Sequence, residues 1–207
     1  MTFGELKDEV LLKLQDTSEA IQERIPDLVN DAVQMIIEEA DVPGFKKLAT
    51  VKTVTNQAYT NLPSDCSRVL YVGSEKGKYP IISLEEMLEL YPTMDEEGDI
   101  LCVAVDGPVL YYQKIPGEQE SLTVLYRRLV KRMVNDDEEP EGIPSELHRM
   151  VIVPKAAQLG FDLFEDGVEN PKVNTLAQKA AYLEGLELLR AWCARRRVHM
   201  SRSVWNY

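Results

Sequence analysis

The chain has 207 residues, 44% hydrophobic and 28% charged, an ordinary globular composition for one sizeable core or a core with an appended subdomain. Its 35 acidic residues against 23 basic ones give a net charge of −12, which argues against a body that wraps nucleic acid by neutralising phosphates. Three cysteines, Cys66, Cys102 and Cys193, are odd in number and widely spaced, so they suit neither a disulfide framework nor a CxxC-type zinc site and read as reduced, cytosolic thiols.

At the N-terminus, Phe3, Leu6, Val10, Leu11 and Leu14 recur at helical spacing, and Ile21, Ile25, Leu28, Val29, Ala32, Met35 and Ile36 continue the pattern, predicting two opening helices. The stretch has mixed charge and no apolar signal-peptide core, and nowhere does the chain approach the ~20 apolar residues of a membrane span; synthesis in the cytoplasm is expected. Pro26 either kinks the second helix or marks a true helix start at a first-turn position. "DVPGF" ends it.

From about Leu48 to Tyr126 the period shifts towards 2, in "ATVKTV", "RVLYV", "ILCVAV", "PVLYYQKI" and "LTVLYRR", which predicts strands. Asp106-Gly107-Pro108 between two such runs is a hairpin signal. Within this region "SLEEMLELYP" predicts one short helix, with Ser83 as N-cap, Glu86 as its capping-box partner and Pro92 as the stop. An acidic loop, "NDDEEPEGIP", then leads into a long helix with Leu147, Met150, Val151, Ala157, Phe161 and Phe164 as its apolar stripe and Pro154 as a bend. A last helix is predicted from about Pro171 to Arg195, with Val173, Leu176, Ala180, Leu183, Leu186 and Leu189 facing the core.

The fold class is therefore α+β: a helical bundle from the N- and C-terminal helices, an inserted antiparallel β subdomain and an extended C-terminal tail. The expected boundaries are residues 1–47 for the N-terminal helices and 48–134 for the β subdomain with its short helix. Residues 135–195 supply the C-terminal helices, and 196–207 the tail.

No reactive motif assembles along this chain. Phosphate-cradling GxGxxG and GxxxxGK[ST] loops are absent. His148 and His199 lack spaced metal-binding partners, and His148 reads as an ordinary helix residue. Asp136, Asp137, Glu138 and Glu139 could hold a divalent cation but lack EF-hand spacing, and beside Pro140 and Gly142 they read as a solvated loop. Ser145 has no GxSxG around it and suits a helix start. The chain is read as a non-enzyme with no catalytic residues, cofactor or metal.

The C-terminus differs from everything before it. After Glu187 no acidic residue occurs, while Arg190, Arg195, Arg196, Arg197 and Arg202 carry five positive charges, so residues 1–187 hold −17, the total of −12 less those five. A frayed extension whose arginines meet the negative end of a helix dipole is one reading. Trp205 and Tyr207 favour another, because Trp, Tyr and Arg are the residues enriched at interface hot spots. Arg195, Arg196, Arg197, Arg202, Trp205 and Tyr207 then form a docking segment.

The order of elements resembles the head–tail adaptors of tailed bacteriophages, the connector or head-completion proteins that include tail tubular protein A types. The resemblance is carried by "TFGELKDEVLLKLQD", "LPSDCSRVLYV", "YYQKIP", "LTVLYRRLVKRM" and "IPSELHRMVIVPKAAQLGFDLFED" followed by a final helix and tail. It spans nearly the whole chain, and Pro154 departs from the unbroken helix expected there. It implies a structural virion protein at the portal vertex or neck, in a ring, usually twelve-fold, that docks on the portal protein through the C-terminal segment and receives a tail or nozzle protein below. The acidic body would border a channel through which DNA passes without specific binding, with no membrane involved. The alternative is a regulatory protein that binds nucleic acid through the basic tail.

Overall fold

The computed structural model describes residues 1–15, 18–164 and 172–201, except for the side chains of 164 and 197–201. It divides into two compact units, residues 1–44 with 130–207, and residues 45–129.

The first unit is helical. Helix α1 (Phe3–Leu14) buries Phe3, Leu6, Val10 and Leu14, a single stripe at helical spacing. A short α2 (Glu19–Gln22) precedes α3 (Ile25–Glu39), so Pro26 lies in the first turn of a new helix, where its missing N–H costs nothing, and the second predicted helix is two pieces. α3 buries Ile25, Leu28, Val29, Ala32, Val33, Ile36 and Ile37.

The expected long helix after Pro144 is also composite: a 3₁₀ turn (Ser145–Leu147), a π turn (His148–Ile152) and α5 (Val153–Phe164). Pro154 has no N–H to offer the Met150 carbonyl, its α-helical partner, and the wider turn just upstream is how the backbone adjusts. The π turn also rotates the helix faces. Met150, expected in the core, is exposed, while Val151, Ile152 and Val153 are all buried.

Helix α6 (Val173–Ser201) packs on α5 and the π turn. Gly185 permits this, because a Cβ there would overlap the Met150 carbonyl. Two expectations are corrected on α6. Its buried residues are Thr175, Tyr182, Leu186, Leu189 and Cys193, whereas Val173, Leu176, Ala180 and Leu183 are exposed. The apolar residues are spread around this helix, so spacing alone did not select the covered face. The helix also runs six residues past Arg195, since no Gly or Pro stops it there.

The second unit is a β-sandwich of two four-stranded sheets. One has the order β1 (Lys46–Lys52), β8 (Ser121–Arg128), β3 (Cys66–Ser74), β4 (Gly77–Tyr79), and all its pairings are antiparallel. The other has the order β2 (Tyr59–Asn61), β7 (Val109–Tyr112), β6 (Val103–Asp106), β5 (Ile81–Ile82), with β5 and β6 parallel. Val72, Leu122, Val124 and Tyr126 from the first sheet meet Val103, Leu110 and Tyr112 from the second, which is the alternation expected when inner faces interdigitate. The β6–β7 hairpin turns through Gly107, at φ 55°, and Pro108; a positive φ at the first central residue lets a two-residue turn match strand twist. Helix α4 (Leu84–Leu90) covers Cys102 and Ala104 with Met87, and the Ser83 hydroxyl accepts from the Glu86 N–H as an N-cap should.

Residues 130–134, expected with the β region, instead lie along α3. Buried Asn30 accepts from the Met133 N–H at 2.8 Å and donates to the Met133 carbonyl at 3.1 Å. Gln34 accepts from the Val130 N–H at 3.0 Å. Side-chain amides thus supply the partners that a neighbouring strand would give this extended backbone.

Candidate functional site

The C-terminal half of α6 carries the described part of the segment expected from sequence to dock. Its base is fixed by Glu39 at the end of α3, which accepts from the Tyr182 hydroxyl at 2.6 Å and lies 3.6 Å from the Arg190 guanidinium. Burial, reinforced by the bond to Glu39, pushes the Tyr182 phenol well above its ordinary pKa, so it stays a neutral donor. Arg190 also pairs with Glu187 at 3.0 Å. It is therefore tied to the body of the unit, and the outward-facing cations are those beyond it.

Arg195 and Arg196 are exposed, and the Arg196 guanidinium stacks over the half-buried Trp192 ring at 4.2 Å. Cys193, between them, is buried and marks the last described core contact of the helix. Arg197 lies in the helix with its side chain outside the described residues; Arg202, Trp205 and Tyr207 lie outside them altogether. Trp192, next to the sequence-predicted residues and one helical turn before Arg196, was missed, although its spacing to Arg196 is the i, i+4 spacing that brings two side chains together.

The acidic loop has a structural use. The orphan N–H groups of Phe3 and Gly4, at the start of α1, donate to the carbonyls of Glu138 (2.7 Å) and Asp136 (3.0 Å). Thr2 and Glu5 close a reciprocal capping box beside them, so all the first-turn donors from Thr2 to Glu5 are met. Glu138 accepts from the Val134 and Asn135 N–H groups and pairs with Lys131, while Asp136 pairs with Lys7. Those backbone bonds, more than Lys131, hold the Glu138 carboxyl down at about 2. The loop expected to be merely solvated is a clasp on α1.

His148 is likewise spent on structure. It is buried, with Nε2 2.9 Å from the Ile143 carbonyl and Nδ1 3.1 Å from the Met1 amino nitrogen. Nδ1 also lies 3.2 Å from the Met1 carbonyl, so the ring links Met1 to Ile143.

In the sandwich, a cleft of about 810 Å³ is lined by Ser74, Lys76, Asp99, Glu118 and Glu120, among others. Lys76 pairs with Asp99 at 2.6 Å, and Glu120 accepts from the Tyr79 hydroxyl at 2.7 Å. The Asp99 carboxylate beside it raises the Lys76 pKa, which holds the charge in place. Among the described residues no group of three His, Cys, Asp or Glu side chains is placed to hold a metal ion, and no helix is long and apolar enough to cross a membrane.

Together the units make an acidic α+β chain whose last helix bears arginines. The model of the SU10 adaptor protein family matches residues 1–204, and the chain belongs to that family. It is a family of phage head–tail adaptors, structural components of the virion neck. No curated protein sequence matches the chain.

Proposed function

We propose that this chain forms a ring adaptor between portal and tail, docks on the portal protein through the end of α6 and the residues that follow it, and borders the DNA channel with its acidic body. The observation that carries this reading is the change of character along α6. Its last carboxylate is Glu187, its last described core contact is Cys193, and beyond these come exposed Arg195 and Arg196, with Arg196 held over Trp192. Arg197, Arg202, Trp205 and Tyr207 continue the same chemistry in the sequence. Arginine and aromatic residues without carboxylates fit an acidic, grooved protein surface. A strongly acidic body offers few phosphate contacts, so DNA can slide past it.

The test is deletion of residues 196–207 in an infecting phage. Every buried α6 residue described lies before the cut, so the protein should fold. Heads should fill with DNA and then fail to retain it or to join tails. DNA-filled, tailed particles from this deletion would contradict the proposal.

A further inference from the structure

The sheet of β1, β8, β3 and β4 has an outer face whose charge opposes that of the chain. Register places Leu48, Leu125 and Tyr71 side by side on this face, with Lys78 and Lys52 to one side of the row and Arg68 to the other. Leu48 is 66% exposed, and Tyr71 is half-buried. A Cβ at Gly73 would overlap the Tyr71 hydroxyl, so the ring lies along its own strand over this glycine. Lys52, Arg68 and Lys78 are exposed, and none of the three is in an ion pair among the described residues.

The four strands together carry seven Lys and Arg residues and no carboxylate, in a chain of net charge −12. The carboxylates at their ends are Asp65, Glu75 and Glu120. Asp65 accepts from Lys47 and the Tyr126 hydroxyl, and Glu120 accepts from the Tyr79 hydroxyl, so both are spent on residues of the inner face. Glu75 stands at the β3–β4 turn.

We propose that this face docks an acidic protein other than this chain, one that sets an apolar side chain on Leu48 and Tyr71 and carboxylates on Lys52, Arg68 and Lys78. An apolar centre with an aromatic ring inside a polar rim is the anatomy of a protein interface, and a cationic rim selects an anionic partner. Duplex DNA would gain from the cations but would desolvate phosphates against Leu48. The same face of a second copy would set cation against cation. The inference rests on the adaptor reading, in which the chain joins two other components; the end of α6 is given to one, which leaves this face for the other. At about 4.8 Å between strands and 3.4 Å per residue, the cations frame a patch of about 14 by 20 Å. A stable complex buries about 800 Å² on each side, so this contact adds to others and is to be sought in the assembled particle.

The experiment is amine acetylation of the full chain, free and in tailed particles, followed by carbodiimide coupling of the particles and peptide mass mapping. In particles Lys52 and Lys78 should react roughly tenfold more slowly than in the free chain, before and after DNA release and nuclease digestion, because an interface core excludes water and reagent. Carbodiimide, which condenses an amine with a carboxyl it touches, should join one of them to an Asp or Glu of a different protein. Leu48→Asp should remove both the coupling and the protection, with the melting temperature of the free chain unchanged, since Leu48 is exposed on an edge strand. If that change disturbs the fold, Thr50→Glu, on the same exposed face, serves the same purpose. The family places the chain in the particle, and residues 196–207 are left intact, so failure here is distinct from a failure of docking. Equal reactivity in the free chain and the particle, protection that nuclease removes, coupling only to copies of this chain, or a folded variant that keeps the protection would each overturn the proposal.

Discussion

The sandwich of residues 45–129 is one uninterrupted stretch, whereas the helical unit is assembled from two stretches separated by the whole of the other unit. Their interiors reflect this. In the sandwich, tyrosines, valines and leucines of two sheets interdigitate, and backbone groups are met mostly by neighbouring strands, with buried Gln113 accepting from the Leu101 and Cys102 N–H groups and donating to the Asp99 carbonyl. In the helical unit, distant pieces are joined by polar side chains that reach backbone: Asn30 to Met133, Gln34 to Val130, His148 to Ile143, with the carbonyls of 136 and 138 on the start of α1. The helical unit also leaves apolar surface uncovered on α6 and carries the basic terminus. Both units expose large apolar side chains, among them Leu48, Leu90 and Leu101 in the sandwich and Leu12, Leu176 and Leu183 in the helical unit, so what sets the helical unit apart is its assembly from two stretches and its cationic end.

The largest expected effect comes from separating the stretches. Residues 45–129 expressed alone should show a cooperative melting transition, and residues 130–207 alone should not, because their core partners lie in residues 1–44. A cooperative fold from 130–207 would break the contrast. Next is Gly185→Val, which drives a side chain into the Met150 carbonyl; a backbone obstacle cannot swing aside, and about 4 kcal/mol or more of stability should be lost. Asn30→Ala follows. It strands the buried Met133 N–H and carbonyl together, and at about 1–3 kcal/mol for each unsatisfied group a loss near 3 kcal/mol should appear in urea denaturation.

The smallest effect is in acid. Glu138 titrates at about 2 in the folded chain, below its ordinary value of about 4.3 when unfolded. Between these pH values the unfolded state binds more protons, so Glu138 contributes stability that is fully present above about 4.3 and lost as pH falls towards 2. Glu138→Gln should flatten that part of the stability profile, and the carboxyl carbon of Glu138 should titrate near 2 by NMR.

The pattern was legible where one physical cause acted alone. The α3 stripe, apart from exposed Met35, the Ser83 cap and the Gly107 turn each follow from local spacing or backbone freedom. The Thr2 capping box was written in Thr2-Phe3-Gly4-Glu5 and passed over. β2, β4 and β5, at two or three residues each, are too short to show a period. On α6 the apolar residues encircle the helix, so periodicity could not choose between Leu176 with Leu183 and Leu186 with Leu189. The pairing of Asn30 with backbone 103 residues away leaves no local trace. The change of charge after Glu187 was plain in the sequence, whereas Trp192 joined it only when the helix brought Arg196 over its ring.

The central claim, that the end of α6 and the tail bind a protein surface, is tested most directly by binding of the full chain to purified portal protein and to duplex DNA across salt concentrations. The account predicts portal binding that survives moderate salt and weak duplex binding. Trp205→Ala should cost at least ~2 kcal/mol, more than Arg195→Ala or Arg196→Ala alone, because a buried aromatic anchor outweighs an exposed ion pair. Tight duplex binding that falls steeply with salt, is indifferent to Trp205 and is accompanied by no affinity for portal would contradict it and assign the tail to nucleic acid.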